Sequence, residues 1–156
     1  MQFCDFEKAE LSVQNEVDRL YEMGFLSSKE AEAVNVNQAK HFFKSDLFKR
    51  IKTSRFVKRE MNFLTEFPAS IIKSDLSEEL AAEKIIVQGS VDLLFEEDGK
   101  LVIVDFKTDR NKSEEELITA YAEQLKIYGK ACESLLKKSI GELAIYSFSI
   151  GKTISL

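Results

Sequence analysis

The chain has 156 residues, enough for one domain that buries roughly 68–70% of its surface on folding. With 44% hydrophobic and 31% charged residues, one proline and six glycines, it is neither a disordered tail nor a fibrous or low-complexity segment. No apolar run approaches the roughly 18 residues of a membrane span, and the opening MQFCDFEKAE has no signal-peptide pattern. Cys4 and Cys132 are too few for a disulfide scaffold or a Cys-rich zinc site, so a reducing, cytoplasmic setting is expected. The net charge of −5 hides an asymmetry. Residues 40–60 hold eight Lys or Arg against Asp46 and Glu60, which is +6 locally and so −11 over the remainder. Such a stretch is either a phosphate-facing surface or the solvated side of a helix, and Lys49, Arg50 and Lys52 are its candidate contacts.

In chain order, Phe6, Leu11, Val13, Val17, Leu20, Tyr21 and Phe25 approximate one helical stripe ending near Gly24. Ser27 and Glu30 form a capping box for a short second helix. A third helix is expected from about Asn37 to Ile51, with Phe42, Phe43, Leu47, Phe48 and Ile51 turned inward. Residues 1–55 are thus a helical lead-in, and 56–156 a sheet core. Residues 56–64 read as a strand, and Thr65 to Glu83 as a loop with short local structure.

The segment IIVQGSVDLLFEEDGKLVIVDFKTD reads as two strands joined at Asp98-Gly99, a strong two-residue hairpin signal. With that turn as centre, opposed residues have numbers summing to 197. Val91, Leu93 and Phe95 then meet Phe106, Val104 and Val102 on a wholly apolar face that must be core. On the other face Leu94 meets Ile103, Asp92 meets Asp105, and Ser90 meets Lys107. Ser113 and Glu116 form a second capping box, opening a long helix over residues 113–137 with Leu117, Tyr121, Gln124 and Tyr128 on one face. The end, IGELAIYSFSIGKTISL, reads as a strand, a turn and a short return strand. Helices, strands, one long helix and a strand make a mixed α/β domain on a central sheet, with no repeat or linker dividing it.

Two carboxylates directly opposed on a sheet are destabilising unless something positive lies between them. A hard divalent cation such as Mg²⁺ fits, because it takes few carboxylates and keeps room for water and phosphate oxygens. Lys107, two residues beyond Asp105, is expected on the same face. Two carboxylates and an ammonium on one surface suit in-line displacement at phosphorus. Other chemistries lack their residues. Gly151-Lys152-Thr153 has Tyr146 where a phosphate loop needs its first glycine, and no Gly-x-Ser-x-Gly is present.

Gly89-Ser90-Val91-Asp92, Asp105-Phe106-Lys107-Thr108-Asp109 and Gln124-Leu125-Lys126-Ile127-Tyr128, in that order, resemble the RecB-type motifs of the PD-(D/E)XK nuclease superfamily. The resemblance extends over nearly the whole chain and is nearest to the nuclease domains of AddA-type helicase–nucleases. It implies a restriction-endonuclease-like fold, a mixed central sheet flanked by helices. Asp92, Asp105 and the Phe106 carbonyl are implied as ligands of Mg²⁺ or Mn²⁺, and Lys107 as the catalytic lysine. Gln124 and Tyr128 match the Gln-x-x-x-Tyr element, and Glu60 stands where an acidic residue often occurs. The family's metal-binding histidine, in a Gly-x-x-x-His context, is expected upstream of Met1. His41, the one histidine, is expected to be structural or superficial.

The implied function is metal-dependent hydrolysis of DNA phosphodiesters, as an exonuclease domain of a larger ATP-dependent helicase–nuclease in recombinational double-strand-break repair. Its implied partners are DNA, the helicase part of the same parent chain and an AddB-like subunit, with no membrane. Alone, the chain is expected to be weak or inactive. The alternatives are a free-standing exonuclease of the same superfamily, and a domain that keeps the fold for DNA or partner binding without catalysis.

Overall fold

Serine caps break the helical lead-in into more pieces than the apolar spacing suggests. In the computed structural model, which describes residues 1–71 and 75–156, α1 (Phe6–Leu11) and α2 (Val13–Glu22) replace the single first helix. Ser12 divides them, because its backbone is extended and its hydroxyl accepts from the Asn15 N–H as N-cap of α2. α3 (Ser28–Ala33) opens with the expected Ser27–Glu30 capping box. The expected helix from Asn37 to Ile51 is also two, α4 (Val36–Lys44) and α5 (Asp46–Thr53). The Ser45 hydroxyl donates to the Phe42 carbonyl at 2.7 Å and accepts from the Phe48 N–H at 3.1 Å, ending one helix and starting the next. The apolar stripe runs through both breaks: Phe42, Phe43, Leu47, Phe48 and Ile51 all reach one core although the chain changes direction.

The strands are β1 (Val57–Pro68), β2 (Lys84–Glu97), β3 (Lys100–Lys107), β4 (Ile140–Ser147) and β5 (Lys152–Ser155), hydrogen-bonded in that order into one sheet. β1 is longer than expected. It continues through Thr65 to Pro68, pairing with β2 as far as Pro68↔Lys84, and as an edge strand it tolerates the proline. The rest of the expected loop holds a 3-10 turn (Ala69–Ile71) and α6 (Glu78–Ala82), while residues 72–74 lie outside the described residues. The pairs β1–β2, β2–β3 and β4–β5 are antiparallel; β3 and β4 are parallel, joined through α7 (Glu114–Leu136). α7 starts with the expected Ser113–Glu116 capping box and ends at Lys137 in the left-handed region.

The β2–β3 hairpin has the expected register, from Glu97↔Lys100 to Leu93↔Val104, and Asp98 and Gly99 take the positive φ values of a type I′ turn. One expectation fails beyond Leu93. Regular pairing stops there, and Val91 packs with Leu94, Leu101 and Ile103, on the face opposite to Leu93, Phe95, Val102 and Val104. The alternation slips at Asp92, whose carboxylate takes the Phe106 N–H that a regular ladder would have used. The expected pairs Asp92 with Asp105, Val91 with Phe106 and Ser90 with Lys107 are therefore not made as ladder pairs.

Both sheet faces are core. Helices α1, α2, α4 and α5 bring Ala9, Val13, Val17, Phe42, Leu47, Phe48 and Ile51 onto Leu93, Phe95, Val104 and Tyr146. α7 brings Leu117, Leu125, Ala131 and Cys132 onto Leu94, Leu101, Ile103 and Ile145. The result is a three-layer sandwich with a central, mostly antiparallel sheet.

Candidate active site

The end of β3 carries the polar group that this sandwich cannot absorb. Asp105 follows four fully or nearly fully buried apolar residues and is itself only 6% exposed. Its Oδ2 is buried and accepts no hydrogen bond of good geometry, and the Lys107 ammonium lies 2.6 Å from that oxygen. Burial pushes the Asp105 carboxyl above the usual carboxylate range, Lys107 pulls it back, and the charges of Asp92 and Asp109 push it up again. The two carboxylates are within electrostatic reach of each other, but not as the directly opposed ladder pair expected from sequence, because regular pairing ends at Leu93 with Val104.

Asp92 is held by the irregularity it creates. Its Oδ2 accepts the Phe106 N–H at 2.8 Å, and its other oxygen takes no hydrogen bond among the described residues. On its other side, Arg59 pairs with Leu93 and Met61 with Val91, so Glu60 falls opposite Asp92 without pairing. Glu60 has φ 49°, a left-handed conformation that costs a side-chain-bearing residue roughly 1–2 kcal/mol. The matched distortion in two adjacent strands places two acidic residues at one break in the sheet.

α7 lies over this end of the sheet. Tyr128 packs edge-on against Phe63 of β1, with ring centroids 5.1 Å apart, and accepts from the Gln124 amide at 3.0 Å. Gly89 makes this approach possible. A Cβ there would stand 2.7 Å from the Phe63 ring and 2.9 Å from the Tyr128 ring, both closer than real contacts allow. The glycine of the first motif thus seats the tyrosine of the third. Two turns earlier on α7, Tyr121 covers Lys107, with the ammonium 4.1 Å from the ring centroid. The spacing alone does not distinguish Tyr121 from its neighbours on that helical face, since only β3 decides what lies beneath it.

Lys49, Arg50 and Lys52 are placed differently. Arg50 forks onto Glu97 and Glu142, each at 2.6 Å, and lies over the Phe95 ring. Lys49 pairs with Asp46 and Lys52 with Glu10. Glu97 pairs with Lys100 at the hairpin end, five positions before Asp105, which is about 17 Å along β3. Arg50 is therefore a strut between α5, the hairpin and β4, not a free cation beside Asp105. His41 is exposed on α4, in the layer across the sheet from α7. Burial raises both the Cys4 and Cys132 thiols to about 11, so neither is a nucleophile at neutral pH.

Among the described residues no three His, Cys, Asp or Glu side chains gather as a metal set. The donors that do meet are two carboxylates of hard oxygen character, one with a buried oxygen whose near neighbour is the Lys107 ammonium at 2.6 Å, without good hydrogen-bond geometry. That set suits a hard divalent ion whose remaining positions go to backbone carbonyl, water or substrate oxygens.

The order of motifs, the sandwich and this acidic-plus-lysine group define a nuclease of the PD-(D/E)XK type, and the pattern of the PD-(D/E)XK nuclease superfamily matches residues 5–153. The chain belongs to that superfamily, whose members generally use divalent metals. Among curated proteins it is similar to the A-type ATP-dependent helicase/nuclease subunit of Ligilactobacillus salivarius, 38% identical over 139 residues, covering 88% of this chain and 11% of that protein. It is also similar to the subunits of the same name from Clostridium perfringens and Clostridium botulinum strain Hall. Each is 34% identical over 100% of this chain and 13% or 12% of the relative. The chain thus spans about one-eighth of the length of the curated relatives it matches. No helix among the described residues is long and apolar enough to cross a membrane.

Proposed function

We propose that this chain is the catalytic nuclease domain of an AddA-like helicase–nuclease, hydrolysing DNA phosphodiesters with Mg²⁺ or Mn²⁺. The observation that carries the reading is the meeting of Asp92, Asp105 and Lys107 at the end of β3, with Asp105 buried and its Oδ2 2.6 Å from the Lys107 ammonium. Asp92, Asp105 and the Phe106 carbonyl are the groups that would hold the ion. Bound there, it supplies Lewis-acid stabilisation of charge developing on the phosphate. The chain's own residues supply the rest. The Phe106 N–H fixes the Asp92 carboxylate through one oxygen, and the other takes no hydrogen bond among the described residues. Lys107 orients the attacking water and offsets phosphate charge as the phosphorus–oxygen bond to the leaving strand breaks. Gln124 and Tyr128 contribute from α7, and Glu60, whose backbone falls opposite Asp92 at the break in the sheet, is a further acidic candidate outside the ion's ligand set.

As part of the same proposal, the domain acts in the cytoplasm as an exonuclease within a larger ATP-driven protein beside an AddB-like subunit, resecting double-strand ends for recombination. By itself it cleaves weakly. The test is cleavage of end-labelled single-stranded DNA by the chain in excess, with Mg²⁺, Mn²⁺ or EDTA. We expect slow cleavage with either ion, none with EDTA and none for Lys107→Ala. Cleavage in EDTA, or by Lys107→Ala at the parent rate, would overturn the reading.

A further inference from the structure

We infer that Tyr121 is a positioning residue for Lys107, an uncharged platform that holds the ammonium over the site. The inference deepens the proposed function, since it rests on Lys107 being the catalytic ammonium. Lys107 ends a strand and carries a long, flexible stem, so it needs a restraint to stay in one place. Its close partners among the described residues are the Asp105 carboxylate at 2.6 Å and the Tyr121 ring, whose centroid is 4.1 Å from Nζ. An ammonium held by Asp105 alone would compete with any other cation for that carboxylate. The ring attracts the same ammonium without using a carboxylate oxygen.

The ring is itself fixed. Tyr121 donates its hydroxyl hydrogen towards Asp109, with Oδ1 at 3.1 Å and Oδ2 at 3.2 Å. Lys112 donates to the Tyr121 hydroxyl at 3.4 Å and pairs with Asp109 at 2.6 Å. The Asp109 carbonyl in turn accepts from the Ser149 hydroxyl at 2.5 Å, tying the segment after β3 to the turn after β4. Lys112 is also near the ring, 5.0 Å from its centroid, but Asp109 already neutralises it. The loop therefore grips the tyrosine by its oxygen, and the ring face is left for Lys107. A phenylalanine would keep the platform and lose the grip; an aliphatic residue would lose both.

The test reads Lys107 directly. In the chain labelled with ¹³C at lysine Cε, the Lys107 methylene, assigned with Lys107→Arg, should be shifted upfield of the other lysines by the ring and show a cross-relaxation contact to Tyr121 ring protons. Tyr121→Phe should keep the upfield shift and Tyr121→Leu should lose it. In single-turnover cleavage with Mn²⁺, Tyr121→Leu should lower the saturating rate by about tenfold, the scale of a partly desolvated cation–π contact. The half-saturating protein concentration should stay within about twofold, and Tyr121→Phe should restore most of the rate. An unshifted Lys107 signal without the ring contact in the parent chain overturns the inference and needs no variant. So does a full cleavage rate in Tyr121→Leu. Unaltered cleavage by Lys107→Ala with the ring contact intact overturns the function reading instead, so the two failures are distinguishable.

Discussion

Asp105 concentrates the cost of the site in one side chain. Its carboxyl sits above the ordinary carboxylate range because burial outweighs the help of Lys107, so folding makes its ionised form costlier than in the unfolded chain. For an acid whose folded pKa is raised, the folded chain binds more protons than the unfolded one between the two values. Stability therefore falls as pH rises from the ordinary carboxylate value through the raised one. Asp105→Asn should remove that part of the slope. In metal-free buffer it should be at least as stable as the parent at pH 7, while cleavage falls by at least about 10²-fold, as for loss of a preorganised charge contact. Urea denaturation at several pH values, paired with the cleavage assay, checks both. Gly89 makes the opposite trade. Gly89→Ala adds one methyl between the Phe63 and Tyr128 rings and should destabilise by about 1–3 kcal/mol, an overpacking cost visible in the urea midpoint.

Among the elements, the break shared by β1 and β2 separates scaffold from site. Regular pairing at Glu60 and Asp92 would leave Asp92 without the Phe106 N–H and Glu60 in ordinary extended backbone. Glu60→Gly relieves the positive φ, so it should cost no stability by thermal melting; loss of cleavage in that stable variant would place the carboxylate in the reaction. The helical layer depends on its caps in the same local way. Ser45 serves two helices through one hydroxyl, and Ser45→Ala should cost about 1 kcal/mol of unfolding free energy by urea titration, with no change in cleavage.

The molecule as a whole divides its charges between structure and function. The Arg50 fork to Glu97 and Glu142 joins the helical layer to two strands across the hairpin end of the sheet. Arg50→Met should destabilise by about 2 kcal/mol, the scale of hydrogen bonds to charged groups, as read by urea denaturation. Lys49→Glu with Lys52→Glu should leave the salt dependence of DNA binding unchanged. Those lysines pair with Asp46 and Glu10 and belong to the layer across the sheet from α7, so few counterions are released through them. A flatter salt slope in that double variant would instead place these lysines at the DNA interface, the other reading of the basic stretch.

The sequence by itself determined the hairpin, its turn and its register as far as Leu93 with Val104, both capping boxes, the long helix and the closing strands, because each depends on neighbours within a few residues. It also carried the three motifs that mark the superfamily. It overran the helix breaks at Ser12 and Ser45, because an apolar stripe records which residues are buried and not where the axis turns. Only the tertiary structure decided that Asp92 leaves the ladder to take the Phe106 N–H, since that choice depends on Glu60 of a third strand facing the same break. It alone showed that Arg50 is a strut and that Tyr121 lies over Lys107, contacts between residues 47 and 14 positions apart. Local patterns fix elements; which charge meets which partner is settled only when the elements pack.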